Sequence, residues 1–168
     1  MHPVVELAKK SVETFIREGK ILALPDPLPP DMSGKAGVFV CLKKRGELRG
    51  CIGTYQPVCK TIGDEVIMNA LSAATKDPRF APVSREELDD LSYSVDVLSP
   101  PEKVGTFSDL NPRKYGIIVK SGPRRGLLLP DLEGVDTVDE QIRIAKLKAG
   151  IPLHEETELY RFEVKRYT

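Results

Sequence analysis

The 168-residue chain contains no tryptophan and no excess of either charge, since 25 lysine and arginine residues balance 25 aspartate and glutamate residues. This balance argues against a nucleic-acid-binding protein, because such proteins need surplus positive charge to neutralise phosphates. No apolar run reaches the roughly 18 residues of a membrane span, and the residues after Met1 lack the basic and apolar regions of a signal peptide. We therefore expect a cytoplasmic protein that binds neither nucleic acid nor membranes.

Residues that bind metals or form disulfides are also scarce: Cys41, Cys51, Cys59, His2 and His154. Three cysteines give neither an even disulfide set nor a Cys-x-x-Cys pair, and a reducing compartment keeps them as thiols. We therefore expect no metal site. The sequence lacks the signatures of dinucleotide binding, Walker-type phosphate binding, serine hydrolases and zinc proteases, so it identifies no cofactor.

The length suits a single domain over residues 1–168, which can bury about 70% of its unfolded surface. Capping residues and apolar spacing predict three main helices, at Pro3 to about Glu18, Thr61 to about Lys76 and Thr137 to about Ala149. Strand patterns include Leu91 to Leu98 and Leu159 to Tyr167. Because hairpins and helices do not alternate regularly, we expect an α+β fold with two lobes, whose mixed or mainly antiparallel sheet carries packed helices. No internal repeat is visible.

The segment from Ile21 to Lys35 carries four prolines and Gly34, which disfavour regular structure and favour an extended segment on the surface. Two interpretations are open. The segment is either a strap laid over the body of the protein or an arm that binds a partner. We favour the strap, because ordered loops within domains are commoner than recognition motifs.

Residues 38–42 and the hexapeptide Leu48-Arg49-Gly50-Cys51-Ile52-Gly53, hereafter the LRGCIG hexapeptide, are typical of two strands joined by a charged turn. Pairing Lys43 with Glu47 places opposite charges across the hairpin. In this register Phe39 lies opposite Cys51, and Cys41 lies opposite Arg49. These four residues share one face of the hairpin, and the opposite face is apolar and includes Gly50.

Arg49 and Cys51 are two residues apart, so on a strand their side chains point the same way with Cα atoms about 6 to 7 Å apart. A nearby guanidinium favours the thiolate, which is the reactive form, whereas apolar burial favours the inert thiol. Cys51 and Arg49 are therefore candidate catalytic residues. The alternative is that Cys51 is a small buried hydrophobic residue, and that Gly50 and Gly53 are present because another backbone packs there.

Three polar residues beyond the hexapeptide, together with Gly50 and Gly53, are candidate ligand-binding residues. Asn69 lies in the apolar stripe of the second helix, where it either ties down backbone or contacts a ligand. Asp77 and Arg79 flank Pro78 in the stiff loop that ends this helix. They either pair with each other as a corner brace or line a cleft beside the LRGCIG hexapeptide.

Several motifs together resemble the AMMECR domain family. They are Gly37-Val38-Phe39-Val40 before the LRGCIG hexapeptide, Ala73-Ala74 before Asp77-Pro78-Arg79-Phe80-Ala81-Pro82, Tyr115-Gly116-Ile117-Ile118-Val119, Gly126-Leu127-Leu128-Leu129-Pro130 and Lys148-Ala149-Gly150-Ile151. The resemblance spans nearly the whole chain. It implies an α+β fold with two lobes and a cleft that holds the LRGCIG hexapeptide, but no agreed activity. It also implies a Memo-type protein and a radical S-adenosylmethionine enzyme as partners in a modifying system.

Two functions follow as hypotheses. In the first, the protein works at a cleft around Cys51 and Arg49, as a thiol-dependent enzyme or as the binding subunit of a modifying system. In the second, it is a non-catalytic scaffold or protein-interaction module, in which Cys51 is structural. We predict under the first hypothesis that Cys51 reacts as a thiolate below the ordinary thiol pKa of about 8.5.

Overall fold

The computed structural model describes residues 1–168, which form three α-helices and two four-stranded sheets. The helices are α1 (Pro3–Glu18), α2 (Ile62–Thr75) and α3 (Val138–Ala149), and short 3-10 helices lie at Pro30–Met32, Arg85–Asp90 and Phe107–Asp109. The strands are β1 (Val38–Lys44), β2 (Glu47–Thr54), β3 (Leu91–Leu98), β4 (Glu102–Val104), β5 (Gly116–Ser121), β6 (Arg124–Leu128), β7 (Glu158–Phe162) and β8 (Val164–Tyr167).

The chain divides into two compact units, each with its own sheet and apolar core. The first unit comprises Met1–Val97 and Lys165–Thr168, and its sheet has the strand order β2-β1-β3-β8. The second comprises Leu98–Val164, with the order β4-β7-β5-β6. Antiparallel pairing joins β1 to β2 and β3, and β5 to β6 and β7. The predicted α+β class is thus confirmed.

Helix α1 begins and ends at the residues predicted from its sequence. Pro3 occupies the first turn, the Val4 N–H donates to the ring Nδ1 of His2 over 3.2 Å, and Gly19 ends the helix in the left-handed conformation at φ 69°. Its buried face includes Val4, Ala8 and Val12, which belong to the core of the first unit. Both helix termini therefore follow local chemistry.

The proline-rich segment lies on the body of the first unit. Leu22, Leu24 and Leu28 pack against the core, and the side chain of Met32 is only 2% exposed. These contacts hold the segment against the first unit, since an extended proline-rich backbone has few hydrogen bonds of its own.

The predicted strand from Leu159 to Tyr167 is wrong as a single element. It is interrupted at Glu163, so that β7 belongs to the second sheet and β8 to the first. The backbone N–H of Glu163 donates to the Ser99 hydroxyl over 2.8 Å, and its carbonyl accepts from the Ser99 N–H over 2.9 Å. These contacts take Glu163 out of a strand ladder, which the continuous alternation of the sequence does not reveal.

The two units repeat one arrangement of elements, although the sequence shows no repeat. Each contains a hairpin, a helix and a strand that pairs with the first hairpin strand: β1-β2-α2-β3 and β5-β6-α3-β7. In each unit a glycine of the second hairpin strand lies against the helix backbone. A Cβ on Gly50 would collide with the carbonyl oxygen of Ala73, and one on Gly126 with that of Ala145.

An amide four residues before each of these alanines completes the repeat. Asn69 Nδ2 donates to the carbonyl of Val38, and Gln141 Nε2 donates to the carbonyl of Tyr115, both over 2.9 Å. Val38 is the first residue of β1, and Tyr115 directly precedes β5. One packing solution therefore joins hairpin to helix in both units.

Candidate functional site

The β1–β2 hairpin has a different register from the predicted one. Cys41 lies opposite Cys51 and Phe39 opposite Gly53, and the register shifts between Leu42 and Lys43. The predicted pairings of Cys41 with Arg49, Phe39 with Cys51 and Lys43 with Glu47 are therefore wrong. The turn holds only Arg45 and Gly46, both at positive φ, so Lys44 pairs with Glu47.

Arg49 is the extra residue of a β-bulge, because Leu42 pairs with Gly50 while Lys43 pairs with Leu48. The bulge preserves the inward position of Gly50, so the predicted faces hold for Gly50 and for the residues of β2 that follow it. Leu48, however, is 41% exposed and lies outside the core. A local bulge of this kind leaves no signal in a pattern of alternating residues.

Cys41 and Cys51 form a disulfide, with Cα atoms 4.1 Å apart. The expectation that all three cysteines are thiols is therefore wrong: two are paired, and Cys59 is free. The register correction explains the pairing, because it brings the two cysteines directly opposite each other. Both paired residues are half-buried.

The Arg49 guanidinium binds Glu87. Its Nε and Nη2 donate to the two carboxylate oxygens, each over 3.0 Å, and the Arg49 side chain is only 13% exposed. Lys44 Nζ adds a third contact to Glu87 at 3.1 Å. Bidentate pairing of this kind neutralises the guanidinium and fixes its plane.

Glu87 was not identified as a site residue from the sequence, and this carboxylate has a second role besides pairing with Arg49. It caps the 3-10 helix, since the Ser84 N–H donates to it over 2.9 Å. Hydrogen bonding from Arg49, followed by that from Ser84, lowers the pKa of Glu87 to about 2. One carboxylate thus anchors both the bulge and the helix that precedes β3.

Asp77 and Arg79 pair with each other, as the corner-brace interpretation predicted, and they also hold the backbone of Cys51. Arg79 Nη2 and Nε donate to the Asp77 carboxylate over 2.9 and 3.1 Å. The Cys51 N–H donates to Asp77 Oδ2 over 3.0 Å, and Arg79 Nη2 donates to the Cys51 carbonyl over 3.4 Å. We call this pair the Asp77–Arg79 clamp.

The Asp77–Arg79 clamp closes the free edge of the first sheet, because β2 is its outermost strand. Asp77 is 4% exposed, whereas the Arg79 side chain is 55% exposed. Hydrogen bonds from Arg79 hold the pKa of Asp77 well below its ordinary value, against the opposing effect of burial. The carboxylate is therefore a fixed negative charge beneath an exposed cation.

Asn69 ties down backbone, as the structural interpretation of this residue predicted. Besides donating to the Val38 carbonyl, its Nδ2 contacts the hydroxyl oxygen of Thr54 at 3.1 Å. The Thr54 hydroxyl in turn donates to Glu65, which is fully buried. Asn69 thus belongs to a buried polar network, in which its side-chain amide donates to other protein atoms.

Glu65 is the residue of this network that sequence reasoning missed. One of its carboxylate oxygens accepts from the N–H groups of Val58 and Cys59, both over 2.8 Å. A glutamate in the largely apolar α2 was the available signal, because a carboxylate is rarely buried unless it is hydrogen-bonded. The network fixes the loop that follows the LRGCIG hexapeptide.

Gly50 and Gly53 have packing roles. Gly50 admits the Ala73 carbonyl, and the ring of Phe39 fills the space where a Cβ on Gly53 would lie. In this conformation neither glycine offers open space for a ligand. The parts of the site that solvent reaches are the half-buried cysteine pair and the exposed guanidinium of Arg79.

Two further observations concern metal-binding groups and membrane-spanning helices. No group of three or more histidine, cysteine, aspartate or glutamate side chains is placed to hold a metal ion. None of the helices has the length and apolar character required to cross a membrane.

These features define an α+β protein with two units and a glycine-rich, disulfide-bearing strand at the edge of its first sheet. The model of the AMMECR1 family matches residues 5–167. The chain therefore belongs to the AMMECR1 family, as its motifs indicated.

Similar proteins span bacteria and archaea. The chain is 54% identical to a Thermotoga maritima protein, covering 99% of this chain and 97% of that one. It is 48% identical to Protein CA_C1420 of Clostridium acetobutylicum, but it covers only 36% of that longer protein and 98% of itself. The structure of uncharacterized protein PH0010 from Pyrococcus horikoshii superposes with a TM-score of 0.89 at 34% identity, covering 97% and 88% of the two chains.

Proposed function

We propose that this protein is the thiol-bearing component of a modifying system and that Cys41 and Cys51 form its active site by alternating between disulfide and dithiol. The observation that supports this most directly is their position. Two half-buried cysteines face each other on an edge hairpin, and the peptide of one is held by Asp77 and Arg79. Cys51 is thus retained as a candidate catalytic residue, with Cys41 as its partner.

The proposed reaction is thiol–disulfide exchange with an external thiol. An external thiolate attacks one sulfur of the pair, forming a mixed disulfide and releasing the other sulfur as a thiolate. A second external thiolate then attacks the external sulfur of the mixed disulfide. The two external thiols leave as a disulfide, their two electrons reduce the pair, and their two protons neutralise the released thiolates of Cys41 and Cys51.

Arg49 acts in this proposal as a positioning residue. Its buried pair with Glu87 keeps the bulge next to Cys51 in place, but its charge is already neutralised and does not activate the sulfur. Arg79 is likewise paired, with Asp77, but its guanidinium is 55% exposed beside Cys51, so it replaces Arg49 as the group that an anionic substrate or an incoming thiolate can reach.

The test is a redox titration in glutathione buffers of graded ratio, followed by acid quenching, alkylation and mass spectrometry. We expect Cys41 and Cys51 to gain two alkyl groups together in the folded protein as the buffer becomes more reducing. Cys41→Ser and Cys51→Ser should each form a mixed disulfide with glutathione, whereas Cys59→Ser serves as the matched control and keeps the two-electron transition. A pair that resists reduction until the protein unfolds would overturn the proposal.

The partners of this proposal are a Memo-type protein and a radical S-adenosylmethionine enzyme, in the cytoplasm. Two considerations support it: the family resemblance, and the length of the Clostridium relative, in which a domain like this one makes up about a third of a longer chain. The test mixes the tagged protein with both candidate partners at equal concentration and asks whether they co-purify with it. Absence of a complex with either candidate would contradict the partnership.

A non-catalytic scaffold is the second candidate, and the Asp77–Arg79 clamp favours it, since this clamp seals a sheet edge without needing sulfur chemistry. In that case the disulfide is a structural cross-link. The double variant Cys41→Ser, Cys51→Ser is then less stable, but the reconstituted system still carries out its modification reaction with full activity. The thiol proposal requires that activity to disappear while the fold is retained.

A further inference from the structure

The first sheet has a polar face on the side opposite its core. Val38, Val40 and Leu42 of β1 are fully buried in that core, so the alternate residues of this strand point away from it. The register of β1 with its two neighbours defines the residues of this opposite face, which we call the cysteine face: Phe39, Cys41 and Lys43 on β1, Cys51 and Gly53 on β2, and Ser92, Ser94 and Asp96 on β3. The disulfide lies between the row of Lys43 and the row of Asp96 on this face.

Polar groups without a protein partner lie beside the disulfide. Ser94 is half-buried opposite Cys41 on β3, and its hydroxyl makes no hydrogen bond with another protein group. Lys43 is two residues from Cys41 on the same strand face, so their Cα atoms are about 6 to 7 Å apart. The Lys43 side chain is exposed, its ammonium group has no partner in the protein, and its cross-strand neighbours Leu48 and Ser92 carry no charge. This ammonium is therefore available to an anion that approaches Cys41.

A second cation lies on the other side of the disulfide row. Asp96 is opposite Phe39, so it lies one row beyond Cys41 in the direction away from Lys43. Arg166 of β8 donates through Nε and Nη2 to the two carboxylate oxygens of Asp96, each over 2.7 Å. Asp96 is only 5% exposed, whereas the Arg166 side chain is 49% exposed. Because Asp96 is the only acid of the cysteine face and is covered, the charges that a ligand meets there are positive.

We infer that the external thiol of the proposed exchange is a small peptide with a carboxylate on each side of its sulfur. Its sulfur meets the cysteine pair, while Lys43 and Arg166 receive one carboxylate each. An extended tripeptide spans about 10 Å. The rows of Lys43 and Phe39 are four residues apart along β1, or about 13 Å, and the long lysine and arginine side chains close the difference. The inference rests on the proposed thiol–disulfide exchange and leaves its covalent steps as they are given above.

The experiment compares glutathione, as the probe of this class, with its diethyl ester, in which both carboxylates are neutralised. Acid quenching and alkylation give the rate at which each thiol reduces the Cys41–Cys51 pair. Each rate is divided by the rate at which the same thiol reduces hydroxyethyl disulfide, so that differences in intrinsic thiol reactivity cancel. We expect the normalised rate at low ionic strength to be higher for glutathione by about fivefold, in line with two exposed ion pairs, and the preference to shrink as salt is added.

Two variants test the two cations separately. Lys43→Gln should lower the normalised rate of glutathione by about twofold and leave that of the ester unchanged. Its matched control is Lys20→Gln, which removes an exposed lysine of the same unit that lies outside the cysteine face. The double variant Asp96→Asn, Arg166→Gln removes both charges of that pair together, so that no buried carboxylate is left unpaired, and it should have a similar effect on glutathione. Circular dichroism confirms that each variant is folded.

The possible failures are distinguishable. Equal normalised rates for glutathione and its ester would overturn the inference and leave the exchange proposal standing. So would a Lys43→Gln protein that retains the full preference of the Lys20→Gln control. A longer acidic peptide with one cysteine that exchanges faster than glutathione would overturn the assignment to a small thiol. If no thiol reduces the pair in the folded protein, the exchange proposal fails and the inference fails with it.

Discussion

The carboxylate of Asp77 accepts a hydrogen bond from the backbone N–H of Cys51 over 3.0 Å, although the two residues are 26 positions apart in the chain. Asp77 thereby takes the place of a neighbouring strand at the free edge of β2. Arg79 completes the replacement, since it donates to the carbonyl of the same residue. An edge strand closed in this way is protected against pairing with other chains.

Replacing Asp77 with alanine should therefore destabilise the protein by about 1 to 3 kcal/mol, because the N–H of the half-buried Cys51 loses its acceptor. Chemical denaturation followed by circular dichroism measures the loss. Arg79→Ala is the companion variant and should cost less, since its side chain is 55% exposed and the Asp77 carboxylate keeps the backbone N–H groups of Cys51 and residue 79 as donors. Equal losses for the two variants would show that the ion pair, and not the strand contact, is the source of stability.

Glu87 should make the protein sensitive to acid. Its pKa is about 2 in the folded protein against an ordinary value of 4.5, so the folded state favours the ionised form. The resulting stability is present above about pH 4.5 and is lost as the pH falls towards 2. The free energy of unfolding, measured by denaturation from pH 7 to pH 2, should decrease in this window. Glu87 should account for a decrease on the order of 2 to 3 kcal/mol.

The variant Glu87→Gln isolates that contribution. It should be less stable than the parent protein at pH 7, but its stability should change less between pH 4.5 and 2. The exposed neighbour Glu86 offers the control, since Glu86→Gln leaves the Arg49 pair intact and should retain the full acid dependence. A Glu87→Gln curve parallel to that of the parent protein would contradict the assignment.

The parts of the fold that were predictable are those set by local chemistry. Pro3 and Gly19 define α1, and Thr61 and Thr137 cap α2 and α3, because each residue acts within a few positions of itself. The strand from Leu91 to Leu98 was likewise found from its alternation. Such signals do not depend on what packs against the element.

The parts that were not predictable depend on contacts between distant segments. The bulge at Arg49 is stabilised by Glu87, which is 38 positions away, and one inserted residue changes every cross-strand partner. The disulfide was missed for the same reason, since Cys41 meets Cys51 only in the bulged register. The burial of Glu65 depends on N–H groups of a loop that carries no signal of its own.

The repeated contact between glycine and helix backbone leads to a third prediction. Gly50→Ala and Gly126→Ala should each destabilise the protein by about 2 to 3 kcal/mol, because a Cβ at either position meets a backbone carbonyl that cannot move alone. Gly105→Ala is the matched control, with open space at the new Cβ and no positive φ, and should change stability by less than about 0.5 kcal/mol. Thermal and urea denaturation of the three variants measure the difference. A mild effect at Gly126 together with a large one at Gly50 would show that the two units do not share this constraint.

The paired amides of the repeat allow a sharper comparison. Asn69→Leu and Gln141→Met each replace an amide with an apolar side chain of similar shape, and each leaves one backbone carbonyl without its donor. Asn69 also contacts the Thr54 hydroxyl, whereas the Oε1 of Gln141 is buried without any partner. Removing Gln141 therefore also removes an unsatisfied acceptor, which offsets part of the loss. We expect Asn69→Leu to be more destabilising than Gln141→Met by about 1 kcal/mol or more in urea denaturation.

Hydrogen exchange locates the effect of each variant. Protection should be lost in β1 for Asn69→Leu and in β5 for Gln141→Met. A larger loss of stability for Gln141→Met would mean that the Oε1 of Gln141 has a partner in solution, such as a bound water, and that the two amides are not equivalent.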